Sequence, residues 1–380
     1  MESMNKSKGL VSRRKFLGST AAMAAFSMVP AGLAGKNVPS DSFFIQTSQK
    51  PNSNFGGVQI GAITYSWRSM PGGVENIIKY CLQAGLSSIE LMSNDLEAYL
   101  GAPENPSRGM FGPPAGAQAP RPAQPGQAAP GQPAAPGQPA APGQPATQQQ
   151  PQGQRREMTP EQKEAVAKYN AQLKEWRLSL PMSKVQAARK LFDDAGIKVH
   201  IVKFSPARWS AEEIDYAFKV AKAMGAKGVT DEIGEEAVKK LGPIAAKHGM
   251  YAIFHNHMQF ATPGFSYDPF LAVSPAVMMN FDAGHFFGST GIHPNTIIDK
   301  YHDRIFSIHL KDKTGPDVTP PNTNQVWGQG QMPMEDVLLL IKKTKWPIYC
   351  DIELEYEIKP WSDAVKETRT CVRYARQILM

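Results

Sequence analysis

Short apolar runs alternate along the chain with longer stretches whose apolar residues recur every three or four positions, the pattern of strands followed by amphipathic helices. Val58 to Trp67 reads as a strand, Gly73 to Gly85 as a helix closing on glycine, and Ser88 to Met92 as a second strand. A long helical stretch covers Thr159 to Ala195, and a third strand runs from Lys198 to Phe204. Ser210 opens a Ser-Ala-Glu-Glu capping box for a helix that stops at Gly225. Lys227 to Thr230, Met250 to His257, Val277 to Asp282, Arg304 to Lys311 and Ile348 to Glu353 complete eight strands. A helix over Glu235 to His248 follows the fourth strand, and Ser362 to Ile378 forms a closing helix.

Eight strands alternating with helices, the later ones about 27 to 44 residues apart, predict an α/β fold of the (β/α)8 TIM-barrel type over residues 58–378. An open doubly wound sheet is the competing architecture, but no Gly-rich phosphate loop follows the first strand.

Two stretches depart from this rhythm. Residues 1–34 read as an export signal: a basic patch (Lys6, Lys8, Arg13, Arg14, Lys15), an apolar run from Phe16 to Val29, then small residues ending near Ala34. Ser12-Arg13-Arg14-Lys15-Phe16-Leu17 resembles the twin-arginine motif, which implies the twin-arginine export machinery as a partner and a periplasmic or otherwise exported protein. The apolar run is shorter than the roughly 20 residues that span a bilayer, so no stable membrane span is expected. Residues 35–57 are a polar tether. Residues 104–157 are a low-complexity insertion after the second strand, with Ala-Ala-Pro-Gly-Gln-Pro repeated through residues 128–146. Its scarcity of large apolar side chains predicts a disordered, partly polyproline segment.

The formal charge of +7 shrinks if the signal is removed, leaving 36 Lys and Arg against 33 Asp and Glu. So small an excess offers no field for nucleic acid. Cys81, Cys350 and Cys371 are odd in number and widely separated, which favours buried thiols over disulfides.

The chemistry concentrates at strand ends. The fifth strand ends in His255-Asn256-His257, the sixth leads into Asp282-Ala283-Gly284-His285, the seventh into His309-Leu310-Lys311-Asp312, and the eighth into Glu353-Leu354-Glu355. Side chains alternate across a strand and neighbouring strands lie about 4.8 Å apart. His255, Asp282, His309 and Glu353 can therefore converge on one cation at about 2.0 to 2.2 Å. Two imidazoles and two carboxylates suit Mn, Zn, Co or Fe as the divalent metal ion better than calcium. Each residue also has an ordinary reading: a strand-end histidine is commonly only hydrogen-bonded, Asp282 can cap the following turn, and Lys311 can pair with Asp312 or Glu355. The conjunction favours a metal, because four such strand ends at one barrel mouth are costly without a cation.

These motifs, with the Gly328-Gln329-Gly330 turn, resemble the xylose-isomerase-like barrel superfamily of sugar-phosphate isomerases and epimerases, inosose dehydratases and abasic-site endonucleases. The likeness runs over residues 58–378 outside the insertion. It implies Asp282, His309 and Glu353 as ligands; where the family commonly carries Glu on the fifth strand, this chain has His255. Glu232, ending the fourth strand, is an alternative carboxylate ligand, which would leave His255 or His257 free as a base.

The function expected is a metal-dependent isomerase, epimerase or lyase acting on a non-phosphorylated sugar, keto-sugar or cyclitol. The ion would bind vicinal oxygens and stabilise the enediolate formed when the neighbouring carbon loses its proton. His257 or His285 is the expected base, Lys311 the group beside the developing oxyanion, and Glu355 its partner at the substrate. Trp67 and Trp327 are candidate apolar walls for a sugar face, although a tryptophan is more often simply packed. Two other readings stand beside this one: a multi-metal phosphodiesterase or endonuclease, and a non-catalytic sugar-binding barrel.

Overall fold

The structure, a computed structural model, describes residues 50–106 and 158–380. The proposed signal, most of the tether and the bulk of the low-complexity insertion lie outside the described residues.

Eight parallel strands carry the fold: β1 (Val58–Ile63), β2 (Ser88–Met92), β3 (Lys198–Lys203), β4 (Gly228–Glu232), β5 (Tyr251–His255), β6 (Val277–Asp282), β7 (Ile305–Leu310) and β8 (Tyr349–Ile352). Each pairs with its neighbour in sequence, and β8 pairs with β1 through Ile352 and Ala62, so the sheet closes into a barrel with no free edge. A two-residue strand, Asn54–Phe55, adds antiparallel to β1. The main apolar core lies between the sheet and its helices. Ile201, Ile253 and Phe306 form a separate small cluster, with Met278 and Tyr349 packed against it.

Several expected boundaries shift for local reasons. The first strand ends at Ile63 and a single 3-10 turn takes Thr64–Trp67. The long helical stretch is two helices, Pro160–Ser179 and Met182–Ala195, because Pro181 lacks an N–H and favours an extended residue before it. A helix over Ser93–Tyr99 stands between β2 and the insertion, where none was expected. The Ser210 capping box forms as the sequence predicts, with Glu213 as its reciprocal partner.

The two sides of the insertion are pinned together at the barrel's upper rim. Arg177 makes a two-pronged ion pair with Glu97, at 2.8 and 3.0 Å, and reaches Glu213 at 3.1 Å. Its guanidinium also lies 3.7 Å from the ring centre of Trp209. Among the described residues no helix is long and apolar enough to cross a membrane. All three cysteines are buried and unpaired.

Candidate metal centre

Register brings the strand-end residues together. Glu232 stands opposite His255, and Asp282 opposite His309, in paired parallel strands, so these side chains share the inner face. Ligand atoms of His255, Asp282, His309 and Glu353 all lie within 4.8 Å of one another, and all four residues are buried. The four-residue ligand set read from the strand ends is thus one spatial group.

Both readings of Asp282 hold, one for each oxygen. Oδ1 accepts from the His285 N–H at 2.6 Å and caps the helix Ala283–Thr290. Oδ2 faces His255 Nε2 at 3.3 Å and the Lys311 ammonium at 2.8 Å. That ammonium is also 2.8 Å from Glu353 and 2.8 Å from Glu355. Lys311 therefore meets Glu355 rather than Asp312, whose carboxylate instead accepts from the N–H groups of Gly328, Gly330 and Met332. Gly284 is dictated by packing, since a Cβ there would collide with the Lys311 side chain.

Charge is tightly balanced. Burial would raise the Asp282 carboxyl, but Lys311, His285 and His255 together hold it well below its usual range. Burial likewise opposes ionisation of Glu353, and Lys311 and His309 outweigh it. Burial would lower His309, but Glu353 and Glu90 push it well above the ordinary imidazole value. Two ionised carboxylates and two imidazoles, buried around a place already holding positive charge, fit a divalent ion that would replace the imidazole protons.

The inner support of His309 is a residue that the sequence reading passed over. Glu90, fully buried on β2, has Oε2 at 2.8 Å from His309 Nε2, while Asn280 donates to it at 2.9 Å and Thr230 to its other oxygen at 2.9 Å. His309, despite the penalty of burial, brings the Glu90 carboxyl down to about 2. Such a carboxylate fixes which ring nitrogen of a ligating histidine faces the ion. Nδ1 is the nitrogen left toward Glu353, at 2.9 Å. A lone acidic residue in an otherwise apolar strand, Ser-Ile-Glu-Leu-Met, was the available signal.

Glu232 does not join the four. It groups with His255 and His257, at 3.1 and 3.3 Å from their Nδ1 atoms, and its other oxygen takes the Lys203 ammonium at 2.6 Å. His257 is the most open histidine of the group, with 49% of its side chain exposed. Partial burial and the neighbouring His255 lower its pKa. His285 is nearly covered, and burial, with help from Lys311 and Lys313, brings it down to about 4. Both rings are therefore neutral near pH 7, and their centres lie 5.1 Å apart.

The two tryptophans take other places. Trp67 is buried, packs on Tyr80 and donates its indole N–H to Thr368 at 3.1 Å. Trp327 is buried edge-on against Tyr374.

The chain belongs to the xylose isomerase-like TIM barrel family, whose model matches residues 164–375. An inosose dehydratase of Clostridium botulinum is 28% identical over 137 residues, 32% of this chain and 45% of that relative's length. Two solved structures share the fold. A probable 3-DHS dehydratase of Bacillus anthracis aligns at TM-score 0.51 and 12% identity, over 83% of this chain and 98% of that one. A xylose isomerase domain protein of Alicyclobacillus acidocaldarius aligns at TM-score 0.50 and 11% identity, over 85% and 98%.

Proposed function

We propose that the protein is a divalent-metal-dependent lyase acting on a non-phosphorylated sugar, keto-sugar or cyclitol, by removing a proton next to a carbonyl and expelling the oxygen substituent one carbon further on. The observation that carries this reading is the juxtaposition of a four-ligand group with a half-exposed, neutral imidazole, that of His257, at one barrel mouth. The name of the sequence relative, an inosose dehydratase, agrees with it.

A divalent ion held by His255, Asp282, His309 and Glu353 would supply the Lewis acid for the carbonyl and its vicinal oxygen. His257 takes the carbon-bound proton, and Glu232 orients its ring through Nδ1. The electron pair of the C–H bond passes toward the carbonyl oxygen, beside which Lys311 places positive charge. When the carbonyl reforms, the neighbouring C–O bond breaks, and the proton on His257 returns to the departing oxygen. The products are an unsaturated ketone and water or an alcohol, so atoms and charge balance. Returning the proton to carbon instead gives isomerisation, and His255 in place of a second carboxylate disfavours a symmetric two-carboxylate exchange. His285 assists as a neutral hydrogen-bonding group, its Nε2 standing 3.5 Å from Glu355.

Export through the twin-arginine route belongs to the same proposal, since a protein folded around its metal before transport suits that path and non-phosphorylated sugars are the substrates met outside the cytoplasm. Incubation of the metal-loaded protein with keto-sugars and keto-glycosides in deuterated water tests the chemistry. One carbon-bound hydrogen should exchange, with the unsaturated ketone absorbing in the ultraviolet. No exchange with any of them removes proton abstraction, and two or three ions per chain instead of one would favour the hydrolytic alternative.

A further inference from the structure

The loops leaving β1 and β2 frame a cleft of about 240 Å³ on the same face as the ligand group. Trp67 and Met92 form its more buried lining, Tyr65 and Arg68 flank it from the β1 side, and Asn94 and Asp95 from the β2 side. The β1 loop is stitched to the strand end that bears Glu353. Ser66 Oγ donates to the Ile352 carbonyl at 3.2 Å and accepts from the Leu354 N–H at 3.0 Å. Arg68 donates to the Leu354 carbonyl at 2.6 Å. Ile352 and Leu354 flank Glu353, so the loop that bears Arg68 is tied to the strand end that carries this residue.

Its chemistry is mixed in a particular way. Arg68 lies 4.4 Å from the ring centre of Tyr65, which is 38% exposed and has a free ring face and hydroxyl among the described contacts. Asp95 uses Oδ1 to accept from the Gly73 N–H at 2.9 Å, and no described hydrogen bond uses its Oδ2 or the exposed Asn94 amide. A thioether and the exposed Tyr65 ring beside an unengaged amide and a carboxylate oxygen match a pyranose ring, which offers an apolar C–H face and a rim of hydroxyls. The volume falls below the roughly 300 to 1,000 Å³ of sites that enclose a whole drug-sized ligand, so it suits one ring of a larger substrate.

We propose that this cleft is a leaving-group subsite that holds a hexosyl ring, making the substrate a keto-glycoside with a second sugar rather than a free keto-sugar. The assignment rests on the lyase reading of the metal centre, but its test does not need turnover. Binding of glucose, maltose, cellobiose, trehalose and phenyl glucoside to the metal-loaded full chain is measured by calorimetry. At least one disaccharide should bind ten-fold or more tightly than glucose. Met92→Trp, which fills the cleft, and Asn94→Ala, at an exposed position, should each cut that advantage at least five-fold. Disaccharides no tighter than glucose, an advantage that survives both substitutions, or a gain confined to phenyl glucoside would each overturn the subsite. A disaccharide advantage alongside absent deuterium exchange would instead sink the lyase and leave the cleft standing.

Discussion

The carboxylate of Glu90 lies 2.8 Å from Nε2 of His309, across 219 residues of chain, and joins the second strand of the barrel to the seventh beneath the ligand group. Because Glu90 also receives Asn280 and Thr230, its own position is fixed by three donors. Glu90→Gln should keep the fold and weaken metal binding about 10- to 100-fold, the usual cost of losing an outer carboxylate on a ligating histidine. Competition against a chromogenic chelator measures it, and unchanged affinity would remove Glu90 from the centre.

Removal of a ligand is a harsher change. His309→Ala or Asp282→Ala should abolish metal retention through gel filtration, with wild type carrying one ion per chain by elemental analysis. Full occupancy in either variant counts against the ligand set.

Proton competition gives a direction for pH. His309 has its imidazole value raised in the metal-free fold, so in that state its charged pairs with Glu90 and Glu353 stabilise below the unfolded value near 6.5 and fade as pH climbs through the raised value. Metal must displace that proton, so its affinity grows with pH. The gain in melting temperature on adding Mn or Zn should therefore be larger at pH 8 than at pH 5.5, and a gain that shrinks with rising pH would contradict the arrangement.

Lys311 shares its ammonium among Asp282, Glu353 and Glu355. Lys311→Met removes a positive charge next to the cation site, so metal should bind more tightly while turnover falls about 10²- to 10³-fold, the loss typical of removing one oxyanion-stabilising donor. Opposite movement of the two quantities distinguishes this role from simple misfolding.

At the rim, Arg177 and Glu97 are each only 8% exposed. Arg177→Ala leaves the Glu97 carboxylate buried without its partner and should cost about 3 to 5 kcal/mol in a denaturant titration, whereas replacing both by apolar residues should recover most of that. A loss below about 1 kcal/mol would class the pair with exposed surface ion pairs.

The eight-strand alternation and the ligands at four successive strand ends were legible in the sequence because both are local. A period of two or 3.6 is written into consecutive residues, and parallel strands in chain order bring the last residues of neighbours together without further information. Pro181 is equally local, since a proline without an N–H breaks a helix wherever it falls, and two helices meet there. Glu90 was not legible, since a single acidic residue in a short strand gains meaning only when barrel closure sets it against His309 and Asn280.

The sequence alone determined the barrel and the identity of its four converging donors, since repeat length and side-chain alternation dictate them. Tertiary structure decided how the charges are shared. That Lys311 lies between two ligand carboxylates, that Glu232 turns to Lys203 and His257, and that Trp67 goes to Thr368 all depend on distances between segments far apart in the chain. Electrostatic energy in a buried site varies steeply with such distances, and no periodicity encodes them.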